Sequence, residues 1–475
     1  MTFTLFDHQS TVINSARELL RTSSAVILQM ATGGGKTPTG AFAVKSASEK
    51  GHSVIWTCPR RELVEQTSQT FAKFSIPHSF IAAGRHFNPR MRVQIASIDT
   101  LVNRLEKLSP PKLLVVDEAH HSPAAGWLKV IRWVLDSGGK VLGLTATPWR
   151  LDSGGFDHIY GGMVKGPPVS WLIEKGFLSD YRLFAPFTPD LSQVHIRAGD
   201  YVTSEVEAIM GGKAVVGNCV DHYRRYAHGK RAAVFAVSIQ HSEQIAAQFT
   251  AAGIPAAHID AGTPDAIRRQ HILNFATGHL KVIVNVGLLS EGFDLSAIAG
   301  RDAPIECVIL MRPTQSLSLY LQQVGRALRR KPYPAVIIDM VGSCARHGLP
   351  DHPHEWSLQG RPKKGRGGKG EQPVPLVKKC SGCDVMIPLA FAVCPHCGTA
   401  QPNGTAAPNR KLDEIDGELQ EINREQARRE RLREQGGAKS LDELIALGKA
   451  KGYKNPEAWA GHVYTARLRK QGLAG

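Results

Sequence analysis

Between residues 25 and 339, short β-branched and apolar runs keep recurring, each followed by a stretch of helical periodicity. A chain patterned in this way has little choice but to build parallel sheets from β-α-β units. The first set of runs is Ala25–Met30, Ser53–Cys58, Val93–Ser97, Leu113–Asp117 and Val141–Thr145. The second is Ala232–Val237, Ala256–Asp260, Val282–Val286, Cys307–Met311 and Ala335–Asp339. Two tandem, doubly wound α/β domains are therefore expected, over 1–185 and 215–350. A less regular connection, 186–214, lies between them, in a region marked by Gly154-Gly155, Gly161-Gly162, Pro167-Pro168 and Gly211-Gly212.

The C-terminal quarter is different. Residues 361–379 mix glycine, proline and basic side chains without hydrophobic periodicity, so 351–379 reads as a flexible basic linker. Beyond it, Cys380-x-x-Cys383 and Cys394-x-x-Cys397 are separated by ten residues. Two tight knuckles of thiolates at this spacing predict a tetrahedral structural Zn²⁺ site over 380–398, with a rubredoxin-like iron as the other metal that fits. So short and polar a segment needs the metal to fold. The region 410–475 reads as a basic helical tail. Leu412, Ile415, Leu419 and Ile422 form one apolar stripe, and Ser440 with Glu443 a capping box. Tyr453, Trp459 and Tyr464 lie among Lys451, Lys454, Arg467, Arg469 and Lys470, a small helical core or a surface on which bases stack.

The formal charge is +16, and residues 361–475 carry a surplus of 8 of it. That balance points to a polyanionic partner, nucleic acid above all. No apolar run approaches the ~18 residues of a membrane helix, so no membrane partner is expected. The N-terminus has no basic segment followed by an apolar stretch, so a cytoplasmic location is expected.

Three constellations carry chemistry. In the first, Ala31-Thr-Gly-Gly-Gly-Lys-Thr37 follows a strand and opens a helix, making a cradle of backbone N–H groups for phosphate oxygens. Gly33, Gly34 and Gly35 would form the turn. Lys36 would neutralise the outer phosphates, and Thr37 would hold Mg²⁺. Met30 stands where the general pattern has glycine. In the second, Asp117 and Glu118 end a buried strand, Asp117 to reach the metal and Glu118 to orient the attacking water. In the third, Gln322, Arg326 and Arg329 fall at i, i+4 and i+7 on one face of a helix that Ser316 caps. Guanidiniums suit the spread charge of phosphoryl transfer.

The ordered set Phe6-Asp-His-Gln9, Ala31–Thr37, Pro59-Arg-Arg-Glu-Leu-Val64, Ser97-Ile-Asp-Thr-Leu101, Asp117-Glu-Ala-His120, Thr145-Ala-Thr-Pro148, Asn285–Asp294 and Gln322–Arg329 resembles the superfamily 2 helicases. Among these it looks most like the DEAH-containing motor subunits of restriction enzymes and related phage and bacterial helicases. The resemblance covers about residues 1 to 345 and implies two RecA-like domains that use ATP and Mg²⁺ in a bacterial or phage-infected cell. It implies that Gln9 reads the adenine with Phe6 stacking, that His120 and Gln322 link the ATP site to the domain interface, and that Thr145 and Thr147 couple hydrolysis to movement. Gly292 and Asp294 would approach the nucleotide from the second domain, with Arg326 and Arg329 as fingers. Arg60, Thr100 and Ser238 are candidate contacts to a nucleic-acid backbone, each with an equal reading as a helix cap or surface residue.

The expected function is an ATP-dependent helicase on DNA, with replication, repair or nuclease proteins as partners. Two alternatives stand beside it. One is a duplex translocase or motor subunit of a nuclease complex. The other is a non-enzymatic nucleic-acid-binding protein, against which the joint presence of Lys36, Glu118 and Arg326 argues.

Overall fold

The computed structural model describes residues 4–149, 154–186, 193–197, 199–210, 213–289, 295–360, 377–401 and 440–450, with a few single positions besides. It contains two compact units, Met1–Ala407 and Pro408–Gly475.

In the first unit, the N-terminal sheet comprises β1 (Ala25–Gln29), β2 (Val54–Cys58), β3 (Ser79–Ile81), β4 (Val93–Ser97), β5 (Leu113–Asp117), β6 (Lys140–Thr145) and β7 (Gly162–Lys165). Its order is β3-β4-β2-β5-β6-β1-β7, with every pairing parallel. Every residue of β1, β2 and β4 is buried, as in parallel strands covered on both faces, and the three strands are mostly apolar in sequence. The order matters for chemistry because it sets β5, β6 and β1 side by side. The loops that leave their C-terminal ends share one crevice, where ligands bind in open α/β sheets.

The second sheet comprises β8 (Tyr181–Phe184), β11 (Ala232–Phe235), β12 (Ala256–Ile259), β13 (Val282–Asn285), β14 (Cys307–Leu310) and β15 (Ala335–Asp339), again all parallel, in the order β12-β13-β11-β14-β15-β8. A short hairpin of β9 (Ile196–Arg197) and β10 (Asp200–Tyr201) precedes the helix Thr203–Met210.

Several boundaries differ from expectation. Strands β3 and β7 are additional to the expected set; one is only three residues long, and the other is a partly exposed edge strand built of Gly-Met-Val-Lys. Strand β8 belongs to the second sheet through its pairing with β15, so the first domain ends before residue 181 rather than at 185. The 186–214 connection is not independent either. Asp200 accepts hydrogen bonds from the Thr314 hydroxyl at 2.8 Å and the Gln315 amide at 2.7 Å, and Val206 and Met210 sit in the core of the second domain. The expected linker is wrong over its first ten residues: up to Gly360 the chain is described and packs back on the first domain, where Phe156 and Asp157 donate to the Leu358 carbonyl. Residues 361–376 lie outside the described residues.

The ribbon begins earlier than residue 380. Strands β16 (Val377–Lys379) and β17 (Met386–Pro388) pair antiparallel beside β8, the edge of the second sheet, where Phe184 and Val385 form a bridge. In the second unit, Ser440 caps the helix Leu441–Ala450 by accepting from the Glu443 amide at 3.2 Å. The 412–422 stripe and Tyr453, Trp459, Lys451, Lys454, Arg467, Arg469 and Lys470 lie outside the described residues.

Close packing fixes the helix Lys36–Glu49 over the sheet at Gly40. A Cβ there would stand 2.6 Å from Leu144 and 2.7 Å from the Trp56 ring, and Trp56 is fully buried with no room to retreat. Gly40→Val should cost about 1–3 kcal/mol or more from overpacking, lowering Tm in a thermal melt. An unchanged or higher Tm would contradict this packing.

Candidate functional site

The glycine turn after β1 is built by backbone conformations that favour glycine. Gly33 and Gly35 adopt φ of 81° and 89°, and the Gly34 amide closes the turn on the Ala31 carbonyl at 2.9 Å. The helix that starts at Lys36 therefore points its N-terminus, and Lys36 and Thr37 with it, into the crevice above β1 and β5. Lys36 Nζ stands 3.8 Å from a Glu118 carboxylate oxygen, and His120 Nδ1 stands 3.3 Å from the other. Glu118 itself has φ of 50°, a left-handed turn uncommon for a side-chain-bearing residue, and its amide donates to Asp117 Oδ1 at 3.0 Å. Asp117 and Glu118 are both buried. Burial first, and then the neighbouring Glu118 charge, push the Asp117 carboxyl up to about 7, against the opposing pull of Lys36.

Beside them, at the end of β6, the Thr147 amide donates to the Thr145 hydroxyl at 3.2 Å, while the Thr147 hydroxyl is bonded to that of Ser318. Ser318 belongs to the helix Leu317–Ala327 of the second domain, which Ser316 caps through the Leu319 amide at 3.2 Å as expected. This helix carries Gln322 and Arg326, both buried, with Arg329 half-buried just past its end.

The arginine helix faces the glycine turn directly. A Cβ on Gly325 would lie 2.6 Å from Thr32 Cβ, and one on Gly33 would touch Leu178 at 2.9 Å and the Arg329 stem at 3.9 Å. The two domains are thus closed on each other, backbone against side chain, with the expected catalytic groups along the seam. Farther along it, Arg60 donates to the Gly287 carbonyl at 3.4 Å, and Arg268 pairs with Glu62 at 3.7 Å. Arg60 and Thr100 follow the C-terminal ends of β2 and β4, with Thr100 accepting from Ser97 at 2.9 Å. Ser238 caps the helix Ile239–Ala251 and bonds to Glu207, one of its two expected readings. Gly292 and Asp294 lie outside the described residues.

Sequence reasoning missed the crossing between the domains. Gln9 is buried against Gly35 and accepts from the Phe6 amide at 3.1 Å. Around it His8, Trp171 and Phe177 join Phe6 in an aromatic cluster, with ring centroids 4.5 Å apart for His8–Phe177 and 4.9 Å for Phe6–Phe177. They line an open groove of about 960 Å³ rimmed by Lys165 and Lys175. Trp171 and Phe177 sit on a segment whose pattern carries no site motif, so only the fold could assign them.

The four cysteines form a second site. Their thiols all lie within 4.8 Å of one another, with Cys380–Cys397 at 3.6 Å and Cys383–Cys394 at 3.8 Å. A tetrahedral ion with metal–sulfur bonds of ~2.3 Å places its thiolates ~3.8 Å apart, so the cluster fits Zn²⁺. The Gly382 amide donates to Cys380 Sγ at 3.3 Å, and Gln401 donates to it at 3.2 Å, and such hydrogen bonds to sulfur steady a metal-binding thiolate. Hydrogen bonding with Thr399 holds the Cys397 thiol down, to about 6. The ribbon is anchored on the second domain by Arg225 to Asp384 at 2.7 Å.

The Asp117 shift has a stability consequence. An acid whose folded value lies above its unfolded value stabilises the fold at low pH, and that stability is lost as pH rises from about 4 to about 7. The ligand-free chain should lose Tm over this window, and Asp117→Asn should remove that part of the slope. An identical pH profile in the variant would contradict the assignment.

The comparisons with known proteins agree with this geometry. Residues 2–150 match the family model for the type III restriction enzyme res subunit, and residues 215–331 the helicase conserved C-terminal domain. The chain is 35% identical over 375 residues to the "51.5 kDa protein" of Lactococcus phage (isolate 7-9), covering 78% of this chain and 77% of that one. In fold it is similar to the ATP-dependent type ISP restriction-modification enzyme LlaBIII bound to DNA, with a TM-score of 0.54 and 17% identity, over 72% of this chain and 28% of that one. It is likewise similar to a variant of S. cerevisiae Dbp5 bound to RNA and ADP BeF3, with a TM-score of 0.50 and 15% identity, over 69% and 82%. Among the described residues, no helix is long and apolar enough to cross a membrane. With two closed RecA-like domains and both family models matched in order, the chain belongs to the superfamily 2 helicases, its first domain resembling that of restriction-enzyme motor subunits.

Proposed function

We propose that the chain is an ATP- and Mg²⁺-dependent motor that translocates on DNA and separates its strands. The observation that supports this reading best is the seam itself: Lys36 pairs with Glu118 beside the glycine turn, and the helix that carries Arg326, from far along the sequence, packs on that same turn through Gly325 and Thr32. Water attack on a γ-phosphate asks the protein for positioning and charge stabilisation. Lys36 would bind the outer phosphates, Glu118 would orient the attacking water with its carboxylate steadied by His120, and Arg326 and Arg329 would meet the developing charge. Gln9 and Phe6 would hold the base. The adjacent, buried Asp117 and Glu118 carboxyls fit a divalent cation, which Asp117 and Thr37 would hold and which when bound supplies charge neutralisation for the phosphates.

Movement would follow from the position of the nucleotide. A site split between two domains changes its contacts when the triphosphate is cleaved, and the Thr147–Ser318 bond lies on that seam to register the change. Arg60, Thr100 and Ser238 are the proposed strand contacts, with the ribbon and basic tail adding sequence-independent affinity for phosphates that falls with salt. Similarity to a DNA-bound restriction enzyme favours a second reading, a duplex translocase or nuclease-associated motor. Strand displacement measured beside triplex displacement separates the two.

Lys36→Ala and Glu118→Gln should each abolish nucleic-acid-stimulated ATP turnover, and wild-type turnover in either would refute its role. Changing Cys394 and Cys397 to Ser should release one zinc per chain, measured by metal analysis, while basal ATP turnover stays within about twofold. Retained metal, or iron in the wild-type protein, would overturn the zinc assignment.

A further inference from the structure

Up to Gly360 the chain crosses between the two domains twice. The first crossing, after β7, is the ordinary connection. The second runs back, and nothing in the sequence patterning announces it. Up to Asp351 the chain is held on the second domain: Tyr320 donates to the Gly348 carbonyl at 2.9 Å, His347 bonds the Thr314 carbonyl at 2.9 Å, and Tyr181 bonds Asp351. Seven positions later the Leu358 carbonyl accepts from the Phe156 amide at 2.6 Å and the Asp157 amide at 3.2 Å, both in the first domain. The seam is tight enough to exclude any side chain at Gly155, whose Cβ would lie 2.6 Å from the Gln359 carbonyl carbon. Leu358 packs against the apolar cluster that contains Phe156 and Tyr160.

Between these anchors, Trp356 sets its ring at 4.5 Å, edge on, against Trp149, with His354 packed beside both at 5.0 and 6.4 Å. Trp149 is buried and lies two residues beyond Thr147, the residue bonded to Ser318 across the cleft. The ion pair of Lys165 with Glu355 at 4.0 Å is exposed on both sides and contributes little. The aromatic pair and the backbone seam therefore carry the attachment.

We propose that His352–Gly360 is a strap that holds the two RecA-like domains closed, with Trp356 acting as a positioning residue for the Thr145–Thr147 segment through Trp149. A second covalent crossing raises the effective concentration of one domain at the other, so closure persists without a nucleotide to bridge the cleft. Where the closed arrangement is the binding-competent one, loosening the strap lowers apparent nucleotide affinity by the fraction of closed molecules lost.

The test is single-molecule energy transfer between dyes on click-reactive residues introduced at the exposed positions Lys50 and Gln248, in the full chain without nucleotide. Trp356→Ala and Gly155→Val loosen the same seam from opposite sides and should both shift the population to lower transfer. Trp356→Phe should stay near wild type. A six-residue Gly-Ser insertion after Asp351 slackens the tether while leaving every packed residue in place, so it should open the cleft even if a point variant misfolds. Wild-type-like transfer in the insertion variant, or equal opening in Trp356→Phe, overturns the proposal. A kinetic arm rests on the ATPase reading: the insertion should raise the KM for ATP several-fold, and an unchanged KM counts against the strap. The distance arm does not need ATP turnover, so a wild-type chain that fails to hydrolyse ATP refutes only the motor.

Discussion

The contact of Gly325 with Thr32 is the constraint on which the rest of the structure depends. A helix that carries Arg326, with Arg329 just past its end, comes this close to the crevice of another domain only where its backbone comes down onto the glycine turn, and a side chain at 325 would hold it off. Once the helix is seated there, the other seam contacts follow along its length. Ser318 meets Thr147, Arg329 lies against Gly33, and the Leu328 and Arg329 carbonyls take hydrogen bonds from Ser179 on the crossing segment. The arrangement of the proposed site is therefore a property of an interface rather than of either domain.

That interface explains the electrostatics. Two neighbouring carboxyls are buried at the end of β5, an arrangement costly without compensation. Lys36 and His120 supply part of the compensation from within the first domain, and the proton retained by Asp117 supplies more. Perturbed acids of this kind gather where chemistry occurs.

Much of this was legible in the sequence. The strand-and-helix alternation, the glycine turn, the carboxyl pair and the arginine face each rest on local pattern, and the structure packs the helix of that arginine face on the glycine turn. The cysteine knuckles were equally readable because ligand spacing is itself local. What escaped was non-local. Strand β8 looks like the end of the first domain until its pairing with β15 is seen. The residues after 350 look like linker because Trp356 and Leu358 find their partners in residues about 200 positions earlier. Trp171 and Phe177 acquire a setting only through the fold of the crossing. No periodicity encodes such contacts, since each depends on how two finished domains meet.

As proposed, Arg326 completes a hydrolytic site whose other parts lie in the first domain. Pre-steady-state hydrolysis by Arg326→Ala, measured with nucleotide binding on the same preparation, tests it most directly. Near-normal nucleotide binding is expected, with hydrolysis slowed by roughly 10³-fold or more, the scale of an arginine finger. Hydrolysis at close to the wild-type rate would contradict it.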